Sequence, residues 1–179
     1  MKIKYLICLS IMLVLITVST TSASTVTVHP HIGNTYWVGA DGHKISLINN
    51  NSAVNPTYSQ LISFIKKDKT DERIYKPGKY TCGDFSETVH NNAEKVGIKS
   101  AWVTIGFTNN NGGHVCNAFN TKDKGLVYID CTGSYPHKKG NWDSIVKIQN
   151  GKSYRPAALF TSGSTYYSMG IVKDFKRYW

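Results

Sequence analysis

The spacing of apolar and polar positions changes period twice along the chain, and each change marks a different kind of element. Thr25-Val26-Thr27-Val28 alternates, and Lys44 to Ile48 follows turn signals at Gly33-Asn34 and Asp41-Gly42, so the first segment predicts short strands. Between residues 57 and 67 the period lengthens. Leu61, Ile62, Phe64 and Ile65 form one apolar stripe behind Asn55-Pro56 or Thr57, the pattern of a helix. A second helix is predicted from Cys82 to about Val96, burying Phe85, Val89, Ala93 and Val96, with Gly97 just past its end. Alternation then returns. Ala101, Val103, Ile105 and Phe107 take turns with Trp102, Thr104 and Gly106. His114 to Asn120 and Gly125 to Asp130 read as the arms of a hairpin joined by Thr121-Lys122-Asp123-Lys124. Beyond Gly133 the pattern weakens, leaving 145–148, 157–160 and 166–172 as candidate strands. Helices followed by antiparallel strands predict an α+β domain.

Composition changes this picture at the N-terminus. Met1-Lys2-Ile3-Lys4 is basic, Tyr5 to Val18 is almost wholly apolar, and Thr21 and Ala23 fall at the −3 and −1 positions of a cleavage site. Residues 1–23 therefore read as a signal peptide of a secreted or cell-surface protein, and 24–179 as one domain. An uncleaved anchor is the rival reading and would be the one membrane contact; the run is short for a span. The formal net charge of +10 favours anionic surfaces, but the lysines are scattered except at Lys66-Lys67-Lys69 and Lys138-Lys139. No nucleic-acid motif accompanies them, so no nucleic-acid partner is expected.

Cys82, Cys116 and Cys131 follow the leader, an odd number that leaves at least one thiol free or paired between chains. Neither a Cys-x-x-Cys nor a His-x-x-x-His spacing occurs, so no metal and no cofactor are expected. His29, His31, His43, His90 and His137 read as surface or loop histidines.

The candidate chemistry centres on Thr81-Cys82-Gly83-Asp84-Phe85. Thr81 can cap the second helix, Asp84 can return the hydrogen bond, and Tyr80 and Phe85 occupy the two positions of a hydrophobic staple. Cys82 then takes the first helical position, where unpaired N–H groups and the helix dipole favour a thiolate. A thiolate nucleophile needs an imidazole beside it and an acceptor to orient that imidazole. If the hairpin arms pair about their turn, opposed residue numbers sum to about 244–246, which sets His114 opposite Asp130 or nearly so. The helix carrying Cys82 must cover that same face for the thiol to meet the imidazole. Cys116 shares the His114 face and Cys131 points the other way, which disfavours a disulfide between them.

A cysteine opening a helix, a histidine on a later strand, and an aspartate in Val127-Tyr128-Ile129-Asp130-Cys131-Thr132 resemble the transglutaminase-like superfamily. The closer likeness is to uncharacterised exported members from archaea and bacteria. It is carried by Asp68-Lys69-Thr70-Asp71, Tyr80 through Gly97-Ile98, Asn117-Ala118-Phe119 and Gly125 through Thr132, and covers about residues 56–133. The resemblance implies an α+β, papain-like core with the cysteine helix packed on an antiparallel sheet. It implies Cys82 as nucleophile, His114 as base and later acid, and Asp130 as orienter, with a peptide or protein amide as substrate. The Cys82 backbone N–H would be an oxyanion donor, and Tyr80 and Asn117 are candidates for a second. Two departures stand out: Cys116 replaces an aromatic residue common in relatives, altering the pocket wall, and Cys131 replaces a proline.

The expectation is an exported cysteine acyl-transfer enzyme, either a peptidase or amidase or a transglutaminase-type crosslinker. The alternative is a non-catalytic module of the same fold that binds acidic cell-envelope polymers through its basic surface.

Overall fold

The computed structural model describes residues 23–27, 37–108, 112–134, 140–160 and 167–179. The apolar leader run with its signal and anchor readings, His29, His31, His137 and Lys138-Lys139 lie outside the described residues. In chain order the elements are β1 (Ala23–Thr27), β2 (Ser46–Asn50), α1 (Tyr58–Lys67), a 3-10 turn (Thr70–Glu72), α2 (Cys82–Lys95), β3 (Ala101–Phe107), β4 (Gly113–Thr121), β5 (Gly125–Asp130), β6 (Ser144–Val146), β7 (Ser153–Tyr154), β8 (Ala157–Ala158) and β9 (Gly170–Tyr178).

Local chemistry explains where both helices begin. The Gln60 N–H donates to Thr57 Oγ1 at 3.2 Å while the Thr57 N–H donates to Gln60 Oε1 at 2.8 Å, closing a capping box on α1. At α2 the Asp84 carboxylate accepts the Thr81 N–H at 2.7 Å, and Tyr80 meets Phe85 edge-on with ring centroids 4.6 Å apart. Gly97, at φ +80°, ends α2 in the left-handed region. Phe85, Val89 and Ala93 are buried as their spacing predicts. Val96 is not: it caps the helix and is 62% exposed.

Seven strands form one antiparallel sheet in the order β7-β9-β3-β4-β5-β6-β8, while β1 and β2 pair apart from it. The two edge strands are near neighbours in the chain. Tyr154 ends β7 and Ala157 begins β8, so the edges lie within about 10 Å of each other and the sheet must curl back on itself. The curl gives it an inside. Val103, Ile105, Phe107, Cys116, Ala118, Tyr128, Val146, Tyr154 and Val172, drawn from β3, β4, β5, β6, β7 and β9, form one buried cluster there. The alternate residues Phe119, Val127 and Ile129 face outward and are covered by Leu61 and Ile65 of α1 and Val89 and Ala93 of α2. Each such side chain contributes roughly 1.5–3 kcal/mol by leaving water.

This architecture corrects the expected α+β, transglutaminase-like (papain-like) core of a cysteine helix on an antiparallel sheet. The body of the molecule is the sheet, with its own interior core. Among the described residues α-helix is confined to segments of 10 and 14 residues on the outer face. The expectation failed in the C-terminal third, where β6 to β9 are short or irregular and show no sustained period. β9 nevertheless inserts beside β3 from Val172 to Tyr178, with a register shift at Gly106/Phe107. None of the described helices is long and apolar enough to cross a membrane.

Candidate active site

The β4–β5 register places Asn117 opposite Ile129 and Ala118 opposite Tyr128. Continued by one step, it sets Asp130 opposite Cys116 and makes His114 its diagonal neighbour on the same face. The side chains close that diagonal: His114 Nε2 lies 2.7 Å from Asp130 Oδ2, both residues at 5% exposure or less. That face is the inside of the curled sheet, whereas α2 lies on the outside, so the expectation that the helix covers the His114 face is corrected. The meeting is possible because the β4–β5 ladder stops at Asn117–Ile129 although β4 starts at Gly113 and β5 runs to Asp130. Where the strands part, the first residue of α2 comes near the imidazole, and the Cys82 thiol is among the groups that raise the His114 pKa. With Nε2 given to Asp130, Nδ1 is the ring nitrogen left for sulfur.

The start of α2 is held from both sides. Trp102 Nε1 donates to the Gly83 carbonyl at 3.2 Å, and the Ala40 N–H donates to Asp84 at 3.2 Å. Cys82 therefore sits on a fixed helix terminus whose first N–H groups have no intrahelical acceptor.

Electrostatics follow the geometry. Burial pulls the His114 pKa down, but the Asp130 charge, the hydrogen bond donated to Asp130 and the nearby Cys82 outweigh it and carry the pKa to about 10. Burial would raise Asp130, yet the His114 charge, with hydrogen bonds from His114, Thr132 and Tyr154, holds it below the ordinary carboxylate value. The pair is thus an imidazolium and a carboxylate at neutral pH.

Tyr154 is a member of this site that the sequence did not reveal. Its hydroxyl donates to Asp130 Oδ2 at 2.8 Å, and its ring packs edge-on against His114 with centroids 5.2 Å apart. It arrives on a strand of two residues, too short to leave a periodic signal. Cys116 is fully buried beside it, its thiol pKa raised well above the usual value by burial. Cys82, Cys116 and Cys131 are all free thiols, and Cys131 belongs to the cluster on the opposite face.

Tyr80 and Asn117, the two candidate oxyanion donors, are committed elsewhere. The Tyr80 hydroxyl lies between Arg73 Nη1 at 3.0 Å and Thr88 Oγ1 at 2.7 Å. Asn117 Nδ2 donates to the Ser86 carbonyl at 2.9 Å and so ties α2 to the outer face of β4.

A small cleft of about 160 Å³ opens against His114 and Asp130, walled by Trp142, Pro156, Tyr167 and Met169. A larger cavity of about 710 Å³ lies away from this chemistry, between α1 and the C-terminal end of α2, with Phe64, Val96 and Ile98 in its wall.

Elsewhere, Asp41, His43 and Asp84 bring three ligand-type atoms within 4.8 Å of one another. The group is better described as an ionic clamp. His43 Nε2 meets Glu87 Oε2 at 2.8 Å and Nδ1 meets Asp41, and the Glu87 hydrogen bond, against burial, leads the causes that raise its pKa to about 9. The Gly39 backbone packs so close that a Cβ there would overlap both His43 and Asp84, leaving little room for an ion. His43 is exposed as expected, but His90 is not: it is fully buried, with Nε2 on Asn49 Oδ1 at 2.9 Å.

No family model matches the chain, and no match is found among the curated proteins or the solved structures.

Proposed function

We propose that this protein is a cysteine-dependent acyl-transfer enzyme that opens amide bonds through a thioester on Cys82. The observation that carries the reading is the buried Asp130–His114 pair with the half-buried Cys82 beside it at a helix N-terminus. A cysteine beside an imidazolium and at a helix start is the setting in which sulfur acts as a nucleophile.

The steps use groups already in place. Cys82 Sγ attacks the amide carbonyl carbon, and the carbonyl π pair moves to oxygen, where the unpaired N–H groups of the first turn of α2, that of Cys82 first, face the developing charge. As the tetrahedral intermediate collapses, the C–N bond breaks and His114 hands its Nδ1 proton to the departing nitrogen. Neutral His114 then takes a proton from water or from a second amine as that nucleophile attacks the thioester. The acyl group leaves, the C–S bond breaks, and the imidazolium–sulfur pair is restored. Asp130 keeps Nε2 protonated and the ring aligned throughout. Tyr154 and the Thr132 N–H hold the carboxylate.

Intact-mass analysis after exposure to a small activated ester tests this reading. One acyl group on Cys82 is expected, with acylation at least about 100-fold slower in His114→Ala. Acylation of Cys82 no faster than that of an ordinary free thiol, or unchanged in His114→Ala, refutes it.

A further inference from the structure

We infer that the cleft beside His114 is the subsite for the amine partner of the reaction, and that it selects an amine bearing an uncharged, apolar side chain. The inference rests on the acyl-transfer reading and adds the class of amine to it.

The position of the cleft decides which half of the substrate it holds. Its wall includes His114 and Asp130 but not Cys82. The acyl half must lie over Cys82 Sγ. The departing or incoming nitrogen must lie within hydrogen-bonding reach of the imidazole that exchanges protons with it. The substituent on that nitrogen therefore enters the space on the imidazole side, which is this cleft.

Its chemistry decides what fits. Trp142, Pro156 and Met169 supply apolar wall, and Tyr167, at 96% exposure, stands at the mouth. Among the described residues, no titratable side chain lines it apart from the catalytic pair and the Tyr167 phenol. An ammonium group would find no free carboxylate. Asp130 Oδ2 already accepts from His114 and Tyr154, and Oδ1 accepts from the Thr132 N–H at 3.1 Å. Asp71 and Asp143 flank Trp142 but are buried to 2% exposure or less, with Asp71 bonded to the Trp142 N–H. A carboxylate would find no lysine or arginine among the described residues of the wall. Size sets the last limit: about 160 Å³ is below the roughly 300 Å³ of the smallest drug-sized pockets, so the cleft takes one side chain of leucine or methionine class and not an extended polymer.

The test separates the subsite from the reaction. Cys82 is acylated with p-nitrophenyl acetate, and the acyl-enzyme is divided between water and equal concentrations of glycinamide, leucinamide, methioninamide, lysinamide or aspartic acid α-amide. Leucinamide and methioninamide are expected to capture the acyl group about ten-fold better than glycinamide, with the two charged amides no better than glycinamide. Met169→Glu, at a position 43% exposed and so tolerant of change, is expected to bring the leucinamide-to-glycinamide ratio close to one. Equal capture of all amides, preference for a charged amide, or an unchanged ratio in Met169→Glu overturns the subsite while leaving acyl transfer standing. Absence of any acyl-Cys82 overturns both.

Discussion

His114 and His90 are buried to nearly the same depth, at 4% and 0% exposure, yet one is held charged and the other neutral. His90 sits on α2 with Nε2 against the Asn49 amide oxygen, and among the described residues its buried Nδ1 has no partner. Burial alone pushes its pKa down to about 4. His114 suffers the same burial, but its Nε2 faces a carboxylate, and the balance carries the pKa to about 10. Burial sets the cost of a charge, and the partner atom decides whether that cost is met. One imidazole packs a helix against a strand; the other is half of a buried ion pair.

Three measurements break or sharpen this contrast. The largest effect is expected from Asp130→Asn, which gives His114 the same kind of amide partner that His90 has. Turnover of an amide substrate should fall by about 10⁴, the cost of a misplaced tautomer and an unstabilised imidazolium. A loss of less than ten-fold would mean that the carboxylate is not what sets His114 apart.

The second effect is on stability. The folded pKa of His90 is depressed below the unfolded value near 6.5, so the unfolded chain binds the extra proton as pH falls. Stability attributable to His90 is then complete above pH 6.5 and is lost toward pH 4, by about 3 kcal/mol. The stability difference between the intact protein and His90→Gln, followed by denaturant unfolding, should shrink by about that amount over this interval. His114 has the opposite sign. Its raised folded pKa makes its contribution complete below pH 6.5 and lost as pH rises through about 10. A flat difference for His90 between pH 6.5 and 4 would remove one side of the comparison.

The smallest effect is expected from Tyr154→Phe, which takes one of the hydrogen bonds from Asp130 and leaves the ring over His114. A charged acceptor losing one such donor costs about 2 kcal/mol, which should appear mainly as an about 30-fold drop in kcat with little change in KM. An unchanged kcat would reduce Tyr154 to packing.

The parts of this site that lie close in sequence were legible in it. Thr81, Asp84, Tyr80 and Phe85 announce the start of α2 because capping and stapling act across five residues. The β4–β5 hairpin was readable because its alternation fixes a face, and its register sum came within one pairing step, which turns an opposed His114–Asp130 pair into a diagonal one. What could not be read is whatever long-range closure decides. Alternation says that two faces exist but not which of them a helix covers, so α2 was expected on the wrong side. Tyr154 is one residue of a two-residue strand. Its place beside Asp130 depends on β9 pairing with β3, and Asp174 and Lys176 interrupt the apolar pattern of β9. His90 shows the converse: an apolar helix stripe hid a polar residue that the packing of β2 against α2 buries.

The closeness of the sheet's two edges ties the surroundings of Asp130 to the order in which the strands pair. Tyr154 reaches Asp130 through β7, and among the described residues β7 pairs only with β9, which pairs in turn with the distant β3. Such distant pairings form late in folding, because a long loop must close before they add any stabilisation. A chain in which β9 has not yet paired can therefore build the Cys82 helix and the β4–β5 hairpin while Asp130 still lacks the phenol that holds it. Docking of β9 thus completes the set of groups around Asp130, well after the hairpin that carries Asp130 has formed.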